Sequence, residues 1–338
     1  MSITVKDIAN LAGVSHVTVL RVLNGNPNVK QKTKEKVLAI AREHNYVTNR
    51  LARNLSGKKS NTIGLIITDI ANPLFAEIVR GADDVFAQNH YQTIIYNSDN
   101  KKALASKGLI NMKELRVAGL LVAVPSLEEE TFLHELEHID LPFVSLSLTK
   151  SPDCDFVAFD DERGGYLLGK HIAEAGHRRM ICLTPEEVST RPTKLRLKGL
   201  RAAFQEHGIT LSEEDIIVAG FGYEDGYRMA DRILQIGGVT VVVCLFDSIA
   251  VGLLRRLKEL GVSVPDDMAV AGFDDNEANG YLETRLTSVA LPKYALGQQA
   301  GKLLLDKLNQ TDDLVQPIQQ IMVEPVLMVR ESTHRGSI

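Results

Sequence analysis

The spacing of apolar residues along the chain changes near residue 60. Before that point they recur every three or four residues, the interval of an amphipathic helix, as Val37, Leu38 and Ala41 do. After it, apolar runs of about five to eight residues alternate with longer amphipathic segments. This pattern predicts a small all-helical head followed by a larger α/β body.

Cap and turn signals divide the head into three helices. Thr4 and Asp7 have the spacing of a capping box, in which a hydroxyl and a carboxylate satisfy free amides at a helix start. A glycine then supplies a turn, and Ser15 can cap a second helix that runs to about Asn24. A third helix is predicted over residues 30–44. Two short helices joined by a glycine-containing turn, with a third packed behind them, predict a helix-turn-helix.

The body contains ten strand candidates, and most of them are apolar throughout, as strands buried on both faces of a parallel sheet must be. Ten strands are many for one open sheet, so we expect two sheets with a break near Asp160. Two lobes leave a cleft between the carboxyl ends of their strands, where open α/β folds bind ligands. The candidates are residues 62–68, 91–97, 118–124, 142–148, 155–159, 178–183, 216–221, 240–246, 268–273 and 286–291.

The second helix of the head has two unlike faces. At helical spacing Val19 and Val22 lie on one side, whereas Val17, Leu20 and Arg21 lie on the opposite side. An exposed arginine between apolar side chains suits a DNA major groove, because it can bind a guanine edge while its neighbours touch thymine methyl groups. An ordinary surface helix is the alternative, although two exposed apolar residues make it less favourable.

Charge is distributed unevenly between head and body. Residues 1–60 contain eleven basic and three acidic residues, a formal charge of +8, whereas the remaining residues sum to -13. A small basic head on an acidic body indicates that the head meets a polyanion and the body does not. A solvated basic surface would also explain the charge.

The segment between head and body combines leucines with arginines. Leu51 and Leu55 lie four residues apart on one helical face, and Arg50 and Arg53 flank them, as a minor-groove wedge with phosphate contacts would require. So short a helix would be marginal alone, and its folding can depend on DNA. A plain flexible linker is the alternative interpretation.

Several of these segments together resemble the LacI/GalR family of bacterial repressors. The resemblance rests on TVKDIANLAGVSHVTVLRVLNG, NRLARNL, TIGLIITDIANPLFAEIVRG, HIAEAGHRRM and VPDDMAVAGFDD, which occur in order along almost the whole chain. It implies a core like a periplasmic sugar-binding protein, dimers that bind palindromic operators, and a hinge helix that inserts a leucine into the minor groove. Leu55 occupies the position of that leucine.

The resemblance implies two sets of binding residues. The set for DNA is Thr4, Ser15, His16, Val17, Thr18, Leu20, Arg21, Asn24, Lys30, Asn49, Leu51, Ala52, Arg53 and Leu55. The set for an effector in the cleft is Asn72, Phe75, Asp160 or Asp161, Arg191, Arg196, Phe246, Asp247 and Asp274. Carboxylates and an amide can bind hydroxyl groups, Arg196 adds charged donors, and Phe75 can cover a sugar face. A cap or turn role is the alternative for each acidic residue.

Two positions depart from the family pattern, and one cluster bears on the effector. Leu20 stands where the family often has serine, which changes the expected operator preference, and Phe246 replaces a frequent asparagine before Asp247. The basic side chains Arg191, Lys194 and Arg196 favour an anionic effector such as a sugar acid or sugar phosphate, because guanidinium and ammonium groups pair with carboxylate and phosphate. Surface charge explains this cluster equally well.

Patterns typical of enzymes do not hold together. HELEH, from His134 to His138, matches a zinc-hydrolase motif, but both histidines fall opposite the apolar stripe of their helix. GGYLLGK, from Gly164 to Lys170, lacks the serine or threonine and the preceding loop of a phosphate-binding motif. The cysteines are widely spaced within apolar runs, which predicts core packing. We expect a protein that is not an enzyme and has no cofactor or metal.

The predicted fold class is therefore α/β, with a small helix-turn-helix head and a two-lobed periplasmic-binding-protein-like core with parallel sheets. We assign residues 1–48 to the DNA-binding domain, 49–61 to the hinge helix and linker, and 62–338 to the effector-binding core. The N-lobe is expected over about 62–160 and 292–322, and the C-lobe over about 161–291 and 323–332.

The predicted function is that of a sequence-specific regulator. We expect a repressor of a carbohydrate uptake or catabolism operon that binds palindromic operator DNA as a homodimer or larger assembly and is gated by a small sugar-like effector. A related regulator that responds to a purine or a partner protein is the alternative. No apolar run of membrane-spanning length and no signal peptide is evident, so a cytoplasmic protein is expected.

Overall fold

A computed structural model describes residues 3–23, 26–44, 46, 60–124, 130–149, 151–185, 190–309 and 317–334. The predicted DNA-contact residues Asn24, Asn49, Leu51, Ala52, Arg53 and Leu55 lie outside these ranges. Contacts divide the chain into two compact units, residues 1–60 and 61–338. Among the described helices, none is both long enough and apolar enough to cross a membrane.

The first unit is the predicted three-helix head. Its helices are α1 (Val5–Ala12), α2 (His16–Leu23) and α3 (Gln31–Glu43). The capping box at the start of α1 is confirmed, because the Thr4 side chain accepts a hydrogen bond from the Asp7 amide and the Asp7 carboxylate accepts one from the Thr4 amide. Gly13 ends α1 at φ 67°, a left-handed conformation that glycine adopts without strain. Buried aliphatic side chains from all three helices form the core.

The N-lobe of the second unit is built on a parallel sheet of six strands. Their order is β11-β5-β4-β3-β1-β2, and every pairing within the sheet is parallel. The elements in chain order are β1 (Thr62–Ile67), α4 (Pro73–Gln88), β2 (Gln92–Asn97), α5 (Lys102–Glu114), β3 (Gly119–Ala123), α6 (Glu130–Glu137), β4 (Phe143–Ser145) and β5 (Phe156–Phe159), and later α11 (Lys293–Leu308) and β11 (Gln320–Val323).

The C-lobe repeats this architecture. Its sheet has the order β12-β10-β9-β8-β6-β7 and is parallel except for β12, which runs antiparallel to β10. The elements are α7 (Asp161–Glu174), β6 (Met180–Thr184), α8 (Arg191–Glu206), β7 (Ile216–Val218), α9 (Tyr223–Ile236), β8 (Val241–Cys244), α10 (Asp247–Glu259), β9 (Ala269–Asp274), β10 (Thr287–Ala290) and β12 (Val326–Met328). The predicted two-lobed α/β core is therefore confirmed.

Two strands were missed by the sequence prediction. Strands β11 and β12 lie at the edges of their sheets, and their side chains alternate between exposed and partly buried positions instead of forming continuous apolar runs. The predicted strand over 216–221 was too long, since β7 ends at Val218 and Gly220 has φ 116°. Edge strands are only half covered, which weakens the pattern by which buried strands are found.

The three cysteines are buried and free, as their apolar surroundings predicted. Burial raises the pKa of the Cys182 thiol to about 12 and that of Cys154 to about 11. Thiols held protonated in this way are unreactive, so these residues act as small apolar core side chains.

Candidate functional site

The solvent face of α2 carries the side chains predicted to read DNA. Val19 and Val22 are buried against the other helices, whereas Val17 and Leu20 are 44% and 41% exposed and Arg21 is also exposed. Large aliphatic side chains on a small domain cost free energy when they face water, so their exposure beside an arginine is typical of a surface that contacts another molecule. The amphipathic division of α2 therefore agrees with the prediction.

The remaining described residues of the DNA set lie around the starts of helices. Ser15 Oγ accepts a hydrogen bond from the Thr18 amide, and the two hydroxyl oxygens lie 2.9 Å apart, so both residues stabilise the first turn of α2. The Thr4 hydroxyl donates to the Asp7 carboxylate at 2.6 Å. His16 and Lys30 are exposed. The hydrogen bonds of Thr4, Ser15 and Thr18 order the starts of α1 and α2.

Arg196, in α8, lies against the carboxyl ends of β8 and β9 in the C-lobe and is almost completely buried. Its Nε donates to Asp161 Oδ1 at 2.8 Å, its Nη1 donates to the Leu245 carbonyl at 2.7 Å, and the same Nη1 lies 3.5 Å from Asp274 Oδ1. The guanidinium stacks on Phe273, 3.8 Å from the ring centroid, with Phe246 at 4.9 Å. The charge of this arginine is thus neutralised by the protein itself.

Glycines allow the helices to hold Arg196 in this position. A side chain at Gly165 in α7 would place its Cβ 2.1 Å from the Arg196 carbonyl oxygen, and one at Gly199 in α8 would come within 2.0 Å of the Glu162 carbonyl oxygen. Helices α7 and α8 therefore pack backbone against backbone. This close approach brings Asp161, the first residue of α7, within reach of the guanidinium on α8.

Asp274, the last residue of β9, has a carboxylate oxygen without a donor. The side chain is buried, and its Oδ1 accepts no hydrogen bond from any residue that the structure describes. Burial raises the pKa of Asp274 to about 7, while the positive charges of Arg196 and Lys293 oppose this shift and the negative charge of Asp247 adds to it. A buried acceptor left without a donor is costly and is characteristic of a site that a ligand completes.

Asp247 behaves differently from Asp274 because its carboxylate is fully occupied. Ser288 Oγ donates to Oδ1 at 2.7 Å, and the Asn276 amide and Asn279 Nδ2 donate to Oδ2 at 2.8 and 2.7 Å. A Cβ at Gly272 would lie only 2.2 Å from Oδ1, so the neighbouring strand leaves no space there. Burial raises the pKa of Asp247 to about 6. Its interactions hold the turn after β9 in place.

The rest of the predicted effector set lies at the ends of elements around the cleft. Asn72 caps α4 by accepting from the Leu74 amide at 3.0 Å, and Asp160 caps α7 by accepting from the Arg163 amide at 2.8 Å. Both are cap roles, which the sequence also allowed. Phe75, in the first turn of α4, is half-buried and packs against the core.

Arg191 links the two lobes. Its Nη1, at the start of α8 in the C-lobe, donates to the carbonyl oxygen of Thr149 in the N-lobe at 3.0 Å. The predicted basic cluster does not converge on one point, because Arg196 is ion-paired in the interior and Lys194 is exposed. The charges expected to bind an anion are therefore largely committed to the protein or to solvent.

Sequence reasoning missed several residues of this region. Ser288, Asn279 and Lys293 surround the two buried carboxylates, and Phe221 lies against Phe246 with ring centroids 5.7 Å apart in an edge-on arrangement. Phe221 could have been found, since it is the last residue of the predicted strand 216–221, at the carboxyl edge of its sheet. The polar residues carry no local signal.

The enzyme-like motif HELEH does not form a metal site. His134 in α6 and His138, which directly follows that helix, are exposed and stack on each other with ring centroids 3.9 Å apart. Among the residues that the structure describes, no group of three or more histidine, cysteine or acidic side chains is placed to hold a metal ion.

Both units of the chain match known protein families. Residues 4–49 match the bacterial regulatory proteins of the lacI family, and residues 170–333 match a periplasmic binding protein-like domain. The HTH-type transcriptional repressor PurR of Haemophilus influenzae (strain PittEE) is 31% identical over 332 residues, which cover 97% of this chain and 98% of that protein.

Solved structures agree with the sequence comparison. The Lac repressor dimer bound to operator and the anti-inducer ONPF is 26% identical with a TM-score of 0.87, covering 98% of this chain and 99% of that one. A LacI family transcriptional regulator from Enterococcus faecium with bound ribose is 29% identical with a TM-score of 0.72, covering 80% of this chain and 98% of that one. The chain therefore belongs to the LacI family of bacterial regulatory proteins and is a DNA-binding transcriptional repressor, not an enzyme.

Proposed function

We propose that this repressor controls a carbohydrate uptake or catabolism operon and that its effector is a neutral sugar bound between the lobes. The observation that carries this proposal is the buried Oδ1 of Asp274, which accepts no hydrogen bond from the described residues. A sugar hydroxyl can donate to this oxygen and at the same time accept from the neighbouring guanidinium of Arg196, 3.5 Å away. A donor and acceptor side by side match the dual nature of a hydroxyl group.

The balance of buried charge favours a neutral effector over an anionic one. Asp161, Asp247 and Asp274 are buried at this end of the C-lobe, and Arg196 and Lys293 are the buried cations beside them. With all three acids ionised the set carries one excess negative charge, which would repel a carboxylate or phosphate. This balance argues against the sugar acid or sugar phosphate that the basic cluster suggested.

Aromatic side chains can cover the apolar face of a sugar ring. Phe246 follows β8, Phe221 follows β7, and Phe75 lies in the first turn of α4 after β1, so all three follow the carboxyl ends of parallel strands. The ribose bound to the similar Enterococcus faecium regulator supports a carbohydrate in this fold. We assign direct contact with the effector to Asp274, Arg196, Phe246 and Phe75, and we assign Asp247 to supporting the turn beside them.

A purine-like base is the second candidate. Phe221 is 42% exposed and stands edge-on to Phe246, so its ring offers a free apolar face to a flat heterocycle. A ring N–H could donate to Asp274 as a hydroxyl could. A sugar and a purine base differ in shape and in stacking, but both can form hydrogen bonds with Asp274 and Arg196.

We further propose that α2 enters the major groove of a palindromic operator in the cytoplasm. Arg21 would bind a guanine edge, and Val17 and Leu20 would contact thymine methyl groups. The hinge residues Asn49 to Leu55 would add the minor-groove wedge. Leucine at position 20 cannot make the contacts of a serine hydroxyl, so an operator distinct from those of serine-bearing relatives is expected.

The proposed assembly is a homodimer. A groove of about 680 Å³ on the C-lobe is lined by Tyr223, Tyr227 and Leu282, and the adjacent Tyr281 is 83% exposed. Large exposed aromatic side chains beside an open groove favour burial against another protein surface. The dimeric state of the similar Lac repressor supports a second copy of this chain as that surface.

Gating follows from differential affinity of two lobe arrangements. Arg191 and Thr149 already connect the two lobes. A ligand that contacts both lobes has a different affinity for their open and closed arrangements and therefore changes the equilibrium between them. If operator also prefers one of these arrangements, effector and operator are coupled by the same free energy in both directions.

A thermal-shift screen of the full chain tests this proposal. The panel contains neutral sugars, sugar acids, sugar phosphates and purine bases, and the Asp274→Asn variant is the matched control. We expect at least one neutral sugar to raise the melting temperature of the native protein and to leave that of the variant unchanged. Stabilisation by sugar phosphates alone would contradict the charge argument, and stabilisation by purines alone would select the second candidate.

A further inference from the structure

Lys293 is a buried ammonium group with partners in both lobes. It is the first residue of α11, and only 2% of its side chain is exposed. Its Nζ donates to the Asp275 carbonyl at 3.1 Å and lies 3.4 Å from Asn276 Oδ1, both in the turn after β9 of the C-lobe. Glu77 Oε1, on α4 of the N-lobe, lies 3.5 Å away. A buried charge is costly unless it is paired, so this position requires an explanation.

Lys293 is fixed to the N-lobe by close helix packing. A Cβ at Gly297 in α11 would lie 2.0 Å from the Ile78 carbonyl oxygen, and one at Gly81 in α4 would lie 2.1 Å from the Tyr294 carbonyl oxygen. The two helices therefore touch along their backbones, and α11 also packs against strands of the N-lobe sheet. Movement of the N-lobe relative to the C-lobe must carry Lys293 with it.

The turn that Lys293 contacts is itself held rigidly in the C-lobe. Asp274 and Asp275 have positive φ values of 107° and 49°, which asparagine and aspartate tolerate better than most residues. Arg330 binds the Asp275 carboxylate at 2.6 and 3.2 Å, and the Asn276 amide donates to Asp247. Asp274 therefore lies in the same rigid turn as the two oxygen atoms that accept hydrogen bonds from Lys293, those of Asp275 and Asn276.

We propose that Lys293 is a positioning residue of the effector site, which ties the turn carrying Asp274 to the N-lobe and makes the lobe contact sensitive to the charge on Asp274. This inference rests on the proposed effector site at Asp274. When that carboxylate is ionised and has no donor, its attraction for the ammonium group of Lys293 is strongest. A ligand hydroxyl that takes up part of the negative charge weakens this attraction, and the lobes are then less tightly joined.

The charged groups around this pair come from every packed element. Asp274 is influenced by Arg196 of α8, Asp247 of α10 and Asp161 of α7 in addition to Lys293. Lys293 itself faces Glu77 of α4 and lies beside the turn that contains the Asp275 carboxylate, which Arg330 neutralises. The pKa of Asp247 is also raised towards neutrality, but its carboxylate is held by donors from Ser288, Asn276 and Asn279, whereas the positive charge of Lys293 opposes the rise at Asp274.

A double-mutant cycle between Lys293→Met and Asp274→Asn in the full chain, without ligand, tests the inference. Melting temperatures are measured at about pH 5.5, where Asp274 is mostly protonated, and about pH 8.5, where it is ionised. We expect Lys293→Met to lower the melting temperature at least about twice as much at the higher pH, because the lost charge–charge interaction exists only there. In the Asp274→Asn background the loss should be equal at the two pH values.

Two further variants keep the test decisive. Lys198→Met removes an exposed ion pair with Glu162 within the C-lobe and should change the melting temperature little at either pH. Lys293→Gln retains a hydrogen-bond donor without the charge and should reproduce the pH-dependent loss if the methionine variant unfolds. A loss that is independent of pH in both backgrounds would show a purely structural role and overturn the inference.

The cycle also separates this inference from the proposed function. No effector is added, so an effector of another chemical class would leave the expected result unchanged. Conversely, a neutral sugar that stabilises the native protein, together with a pH-independent Lys293→Met loss, would remove only the role given to Lys293.

Discussion

Replacing Asp274 by asparagine should stabilise the protein at alkaline pH while removing its response to effector. Asparagine has nearly the same shape, tolerates the positive φ of this position and carries no charge. The substitution brings the buried set of three acids and two bases to neutrality. It also replaces the charged acceptor that we assign to the effector by a neutral amide, whose oxygen accepts a weaker hydrogen bond.

The magnitude follows from the raised pKa of Asp274. Burial raises it from 3.8 to about 7, and a difference of about three pKa units corresponds to about 4 kcal/mol between the protonated and ionised forms. Because the folded-state pKa lies above the unfolded value, this contribution is complete below about pH 4 and is lost as the pH rises through about 7. The variant does not titrate here, so it should exceed the native protein by about 2–4 kcal/mol at pH 8.

Urea unfolding of the native chain and the variant between about pH 4.5 and pH 8.5 measures this difference. The two stabilities should be closest at the acidic end, diverge as the pH rises towards about 7, and differ by a constant amount at higher pH. An equal stability of the two proteins across the whole range would show that Asp274 is not a desolvated carboxylate, and the charge argument for a neutral effector would fall with it.

Three further substitutions test other parts of the account. Arg21→Ala should relax operator preference at one base pair, seen by binding to single-base operator variants, whereas Lys32→Ala, which removes an equal charge from α3, should weaken all sequences alike. Gly165→Ala should lower the free energy of unfolding in urea by about 1–3 kcal/mol, because the added methyl group forces α7 away from α8. The control Gly280→Ala should be tolerated, because its Cβ would meet open space. Tyr281→Asp should shift the protein from dimer to monomer in light scattering, and an unchanged mass would exclude this residue from the interface.

Local sequence signals were sufficient for most of the fold. The Thr4 and Asp7 capping box and the two faces of α2 depend on residues within one or two turns, so spacing alone predicts them. Buried parallel strands were equally recognisable from their apolar runs. Strands β11 and β12 were missed because edge strands expose half of their side chains and depend on neighbours far away in the chain.

The site could be predicted only in its outline. Resemblance to the family indicated Arg196, Asp247 and Asp274. It did not indicate that Asp247 accepts from three donors while one oxygen of Asp274 accepts no hydrogen bond from the described residues. That difference arises from contacts between residues 29 to 41 positions apart in sequence, which no local pattern encodes. Lys293 likewise begins a helix without any signal of its partners in the other lobe.

The proposed mechanism couples effector binding to operator binding, and operator affinity measured with and without effector tests this coupling. An operator is first selected from random duplexes with the purified native chain, and its affinity is measured with and without the neutral sugar identified by thermal shift. We expect the sugar to change the operator affinity of the native protein at least about fivefold and to leave that of Asp274→Asn unchanged. An affinity that is the same with and without sugar in the native protein, or an equal response in the variant, would contradict it.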